Sequence, residues 1–342
     1  MKYMDYILET MKTLLAIPSP SGFTREAAEF VMKELREMGY EPQMTRKKGV
    51  VCDLGGEDAE DGILLAAHID TLGGMVQAIK SNGRIKLINV GGLKAANVEC
   101  ENCQVHTRDG KVIGGVVNLI NASTHVNDNY MDTVRTFDNV ELLLDEYVNS
   151  KEEVEALGIM PGDYITFDPR TIVTESGFIK SRFLDDKLSA AILLGYAKYL
   201  KESGITPKRR IHLGFTSYEE VGHGGAADIP EGVTEMISVD MGCVGENLQC
   251  DETMVSICAK DRNGPYDYDV TSELIRLAKE NNIRYAVDIY TNYGADVGVA
   301  LKAGHNVRHG LIGPGVYASH GYERSHKMGA EATLQLLQAY LG

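Results

Sequence analysis

Residues 62–70 read GILLAAHID. The run from Gly62 to Ala67 is apolar without alternation, and then the chemistry changes abruptly to His68 and Asp70. A strand with one wet face would alternate, so this run predicts a strand of a parallel sheet covered by helices on both sides. Two other stretches have the same form: IHLGFT at 211–216 and EMISVD at 235–240. Helical patterns alternate with them. One covers 24–38, where Phe30, Val31, Leu35 and Met38 share a face and Gly39 supplies a stop. Others cover 187–201, about 270–282 and 329–341. The alternation predicts an α/β fold whose mainly parallel sheet is sandwiched by helices.

The middle of the chain differs. Between 73 and 172 lie short β-like pieces with hairpin turn signals, SNGR at 81–84 and RDGK at 108–111. This predicts a small β-rich domain, 73–172, inserted into an α/β domain made of 1–72 and 173–342. The first twenty residues carry Met4, Ile7, Leu8, Met11, Leu14 and Leu15 at helical spacing, ended by the Pro18–Gly22 turn. Early acidic residues and this periodicity are not those expected of a signal peptide, and an amphipathic first helix is expected instead. No apolar run approaches the ~18 residues of a membrane span.

With 342 residues the chain is long enough for one large or two medium domains. Its net charge of −15 argues against nucleic acid as a partner, which would call for clustered Lys and Arg, and is read first as solubility. The six cysteines are scattered, so reduced thiols in a cytoplasmic protein are expected rather than a disulfide framework. Cys100 and Cys103 form a C-x-x-C with no second pair to complete a zinc ribbon, and are read as small strand residues.

The polar residues at the strand ends carry the functional reading. In open α/β sheets ligands bind beyond the carboxyl ends of the strands. Three strands deliver His68 with Asp70, Glu219 with Glu220, and Asp240 to that rim, and Asp185 and Asp186 stand at the mouth of an apolar helix. Singly, each is a helix cap or solvated charge. Together, imidazole and several carboxylates suit zinc and its neighbours, and two cations sharing a carboxylate would neutralise the crowd. A further histidine is needed. His320 and His326 both follow a Gly-Pro-Gly loop; His320 is preferred because it follows the apolar stretch directly, and His326 reads as a helix-start or surface residue. His223 sits in the glycine turn after the glutamates and is a candidate for lining the site. His106, His125, His212, His305 and His309 read as structural or surface residues.

AAHIDTLGGMV, FLDDKLSAA, EEVGHGGA, ISVD and SHGYE occur in an order and at intervals that resemble the co-catalytic metallo-aminopeptidases of the glutamyl aminopeptidase / tetrahedral aminopeptidase family (peptidase family forty-two), some of which carry endoglucanase-M-like names. The resemblance covers nearly the whole chain, including IPSPSG, NVGG, TRDGKVIGGVV and GIMPGDYITF. It implies a zinc-peptidase-like fold and two divalent cations, zinc first, with cobalt or manganese as alternatives. His68 and Asp240 would hold one, Glu220 and His320 the other, and Asp185 would bridge them. Asp70 would hold the His68 ring through its other N–H, and Glu219 would be the general base and acid in peptide hydrolysis. It also implies a homo-oligomer, from dimer to dodecameric shell, joined through the inserted domain. Three departures stand out: Lys187 where Arg is frequent, His223 within GHGGA, and Glu323 three rather than four residues after His320. YGADVG resembles the family's Gly-Thr-Asp-Ala, which implies that Asp296 either lines the cleft or has a structural role.

Other readings remain. A deacylase of small N-acyl or non-peptide amides would use the same metal scaffold. A glycosidase with Glu219 and Glu220 as its pair is disfavoured, because adjacent residues of an extended chain point to opposite sides, whereas a glycosidase needs carboxyls ~5–10 Å apart facing each other. A catalytically silent assembly subunit would not need so complete a ligand set.

Overall fold

The structure, a computed structural model, describes residues 2–342. It divides into two compact units: one runs to Thr71 and resumes over Arg170–Gly342, and the other is Leu72–Pro169.

The larger unit is built on a mixed sheet, 13-stranded among the described residues. Its centre is parallel: Arg209–Thr216 pairs with Asp58–His68, which pairs with Val233–Val239, which pairs with Arg308–Tyr317. Antiparallel strands flank this centre, among them Val50–Gly55 on Arg209–Thr216 and Val255–Asp261 on Arg308–Tyr317. The unalternating run at 62–67 follows from burial on both faces. Ile63, Leu65 and Ala67 enter one apolar cluster with the helices Met4–Ala16, Arg25–Glu37, Leu184–Ser203 and Lys327–Leu341. Leu64 and Ala66 face a second cluster with Val297 and Ala300 of the helix Asp296–Lys302. The helix Leu184–Ser203 is buried nearly all round, as its apolar sequence requires.

The strand Arg308–Tyr317 corrects the expected Gly-Pro-Gly loop: Gly313, Pro314 and Gly315 lie inside it. Glycine is needed because the neighbouring backbone comes close. A Cβ on Gly313 would stand 1.8 Å from the Asp240 carbonyl oxygen, and one on Gly315 2.1 Å from that of Asp251. Backbone cannot swing aside as a side chain can, so Gly313→Ala is expected to destabilise by about 3 kcal/mol. The check is a lowered denaturant midpoint at an unchanged slope.

The smaller unit is a closed barrel of six strands, Gly73–Ile79, Ile85–Val90, Val140–Leu144, Val112–Leu119, Glu101–His106 and Tyr164–Phe167 in that spatial order. Both hairpin signals sit at turns, with Gly83 at φ 78° and Gly110 at φ 85° supplying the left-handed conformation. Cys103 is buried in the barrel and Cys100 is exposed; all six cysteines are free. No helix among the described residues is long and apolar enough to cross a membrane.

Candidate metal centre

Every candidate stands where a strand or helix begins or ends. His68 closes the strand Asp58–His68, and Asp240 directly follows Val233–Val239. Glu219 and Glu220 open a short 3₁₀ turn beyond Arg209–Thr216, entered through Tyr218 at φ 69°. Asp185 lies in the non-helical first turn of Leu184–Ser203, with φ −75° and ψ 100°. His320 occupies the turn between Arg308–Tyr317 and Glu323–His326.

These residues form two triples of potential ligands. His68, Asp185 and Asp240 make one; Asp185, Glu220 and His320 make the other; within each, one ligand atom per residue lies within 4.8 Å of the others. Asp185 belongs to both: its Oδ1 is 3.0 Å from His68 Nε2, and its Oδ2 is 3.6 Å from His320 Nε2. Glu220 Oε2 is 3.4 Å from the same His320 nitrogen. Glu219 belongs to neither triple, although its Oε2 is only 3.8 Å from His68 Nε2.

The His68 tautomer is fixed by its surroundings. Its Nδ1–H donates to the main-chain oxygen of Asp70 at 2.8 Å, which turns Nε2 to the cluster; there it donates to Asp185 Oδ1 at 3.0 Å without a cation, and its lone pair would serve one that replaces that proton. Within Asp70 the acceptor is the main-chain carbonyl; the carboxylate Oδ1 is 3.7 Å from the ring. The carboxylate has other work. It accepts the N–H of Glu219 at 3.1 Å and of Glu220 at 3.3 Å, and the Ser21 hydroxyl at 2.5 Å. The two glutamates are therefore held by their backbones, and their side chains are left for other partners.

Asp296 supports the same turn from its far side. It accepts the Gly225 N–H at 2.6 Å and the Thr216 hydroxyl, and a Cβ on Gly224 would stand 2.3 Å from its Oδ1. Lys47 Nζ donates to the carbonyls of His223 and Gly224 at 2.7 and 2.6 Å. The His223 ring stacks on Tyr218, with centroids 4.9 Å apart. Lys187 is buried, and its ammonium donates to the carbonyls of Leu14 and Ile17 at the end of the first helix; burial pulls its pKa down to about 7. His326 stands outside the cluster. Its Nδ1 accepts the Met328 N–H at the start of the last helix, and its Nε2 meets the Ser176 carbonyl. No local pattern marked Ser21, Thr216 or Lys47, because each acts through main-chain groups or another side chain.

The electrostatics show what the cluster lacks. Burial, and then the Asp185 charge, push Asp240 up to about 7. Burial likewise raises Glu219, Glu220 and Asp186 well above the usual carboxylate range. His68 is raised well above the imidazole range: burial opposes this, but the Asp185 hydrogen bond and the Glu219 charge prevail. Asp240 Oδ1 and Asp186 Oδ1 are buried without a hydrogen-bond partner. A largely buried cluster with more carboxylates than cationic groups and with orphaned oxygens fits divalent cations, and imidazole with carboxylate is a donor set that they accept.

The M42 glutamyl aminopeptidase profile matches residues 49–336, a span that contains every member of both triples. The chain belongs to this family. It is accordingly an aminopeptidase, a hydrolase of peptide bonds. This M42 peptidase is 41% identical to the putative aminopeptidase YhfE of Bacillus subtilis (strain 168), over 98% of its own length and 96% of the relative's. Among solved structures, the TET1 peptidase of Pyrococcus horikoshii, described as assembling into a tetrahedron or a large octahedral shell, superposes with a TM-score of 0.85 at 21% identity, over 98% of this chain and 99% of that one. An aminopeptidase from the archaeon Desulfurococcus kamchatkensis gives 0.87 at 21% identity, over 99% and 95% of the two chains. These likenesses show that the M42 peptidase shares the two-domain fold.

Proposed function

We propose that the chain is a dinuclear metal-dependent aminopeptidase that removes N-terminal residues from peptides, with Glu219 as its general base and acid. The observation that carries this is the pair of triples sharing Asp185, with Glu219 beside them and committed to neither. His68, Asp185 and Asp240 would hold one cation, and Asp185, Glu220 and His320 the other; zinc suits the donors best, with cobalt or manganese as alternatives. When bound, such cations supply Lewis acidity, lowering the pKa of a water and polarising the scissile carbonyl. The chain's own residues do the rest. The Asp70 carboxylate holds the Glu219–Glu220 backbone, so that Glu220 would be left to a cation and Glu219 to the attacking water. Glu219 takes the water's proton and hands it to the departing amine.

The test is a panel of aminoacyl anilides against N-acylated amino acids, run on protein reconstituted with each metal. Turnover of substrates with a free amine supports the aminopeptidase; turnover of N-acylated substrates alone would assign a deacylase on the same scaffold. We also propose a homo-oligomer joined through the barrel unit. Its connection 120–139 exposes Val126, Met131 and Val134 at 74%, 83% and 70%, apolar side chains that a second copy would cover. Light scattering that found only monomers would overturn this.

A further inference from the structure

We propose that Glu323 sets how many cations the site holds: it preforms the second triple by binding the backbones of two of its members, and without it the chain keeps one ion. The inference rests on the dinuclear reading above. Glu323 is 2% exposed. Its Oε2 accepts the Asp185 N–H at 3.1 Å and its Oε1 accepts the His320 N–H at 3.0 Å. One carboxylate thus spans two segments separated by well over a hundred residues, and these carry the shared ligand and the last histidine.

The two triples are anchored unequally. In the first, His68 ends a central strand and its ring is fixed by the Asp70 carbonyl. The Asp240 N–H donates to Ile312 at 2.9 Å within the sheet. The second depends on His320, whose side chain is 39% exposed on a turn. That turn takes Ala318 at φ 59° and His320 at φ 64°, a left-handed conformation that non-glycine residues adopt only at a cost of roughly 1–3 kcal/mol each when the surroundings impose it. The Glu323 carboxylate is one of the groups that impose it. Its removal releases the His320 backbone and leaves the Asp185 N–H without its acceptor, while the sheet contacts of His68 and Asp240 are untouched. Glu323 is therefore a positioning residue, acting on the second ion through His320 and Asp185.

Glutamine is the discriminating substitution. It fills the same volume but replaces one acceptor oxygen with a donor NH₂ that confronts a main-chain N–H. Wild type, Glu323→Gln and Glu323→Ala are stripped of metal and titrated with cobalt(II) by calorimetry, with elemental analysis of the dialysed products. Wild type is expected to bind two ions. Glu323→Gln is expected to retain the first ion with a smaller loss of affinity, because only Asp185 of its three ligands is touched, and to bind the second about 10–100-fold more weakly, the usual effect of removing a group that supports a ligand. A Glu323→Gln variant that keeps both ions at wild-type affinity, or that loses both, overturns the proposal. A wild type that binds only one ion overturns the dinuclear reading instead, so the two failures are distinct. Should Glu323→Ala not fold, the glutamine variant carries the test.

Discussion

Glu219→Gln is expected to lower kcat by about two to four orders of magnitude while leaving two cations per chain. The substitution keeps the volume of the side chain and takes away its ability to accept and return a proton. It does not disturb how the turn is held, because Asp70 grips the main-chain N–H of residue 219 and Asp296 grips that of Gly225, and neither contact involves the Glu219 side chain. Glu219 is also outside both ligand triples. The loss should therefore fall on kcat with KM little altered, the mark of an interaction made only in the transition state. Glu220→Gln is the contrast: its carboxylate is in the second triple, so its metal content should fall together with its rate. Steady-state kinetics and elemental analysis on the same preparations decide the matter. A Glu219→Gln variant turning over at near the wild-type rate would remove the base assignment.

What the sequence made legible was whatever its side chains advertise. The unalternating runs at 62–67, 211–216 and 235–239 marked three of the four central parallel strands, because burial on both faces leaves no polar position to interrupt them. The fourth, Arg308–Tyr317, was hidden: the close approach of the Asp240 and Asp251 carbonyls demands glycine at 313 and 315, and glycine with proline reads as loop. In the barrel, local turns showed at 81–84 and 108–111, but the closing pair, Gly74 against Ile165, is too distant in sequence for any local pattern to mark. The site divides in the same way. Residues that offer imidazole or carboxylate to the cluster stood out by type at strand ends. In the tier behind them Asp70, Asp296 and Glu323 stood out by type as well, but not what they bind: each accepts main-chain N–H groups, and these look alike at every position. That tier also explains how two adjacent glutamates are held side by side. Their backbones share one acceptor, Asp70, and this fixes the pair despite the repulsion between its charges.

Stripping the cations should abolish hydrolysis and also lower thermal stability, by an amount that grows with pH. In the metal-free protein the crowded carboxylates hold protons that an unfolded chain would release. Asp240 is pushed up to about 7 by burial and the Asp185 charge, against about 4 in an unfolded chain. Between those values the native state binds more protons than the unfolded one, so stability falls as pH rises through the window. Glu219, Glu220 and Asp186, raised by burial, act in the same direction, and so does His68, whose imidazole is raised and whose contribution is also lost with rising pH. Asp185, held low by His68 despite burial, has the opposite sign, but its window lies below pH 4. Bound cations take the place of those protons. Cation at a thousand times its dissociation constant adds about 4 kcal/mol, which is roughly ten degrees in Tm for a chain of this size. Calorimetric scans at pH 5.5 and pH 8, with and without chelator, should therefore show a small gap at the lower pH and a wide one at the higher. A gap that stays constant or narrows would mean that the buried carboxylates are not the groups on which the cations act.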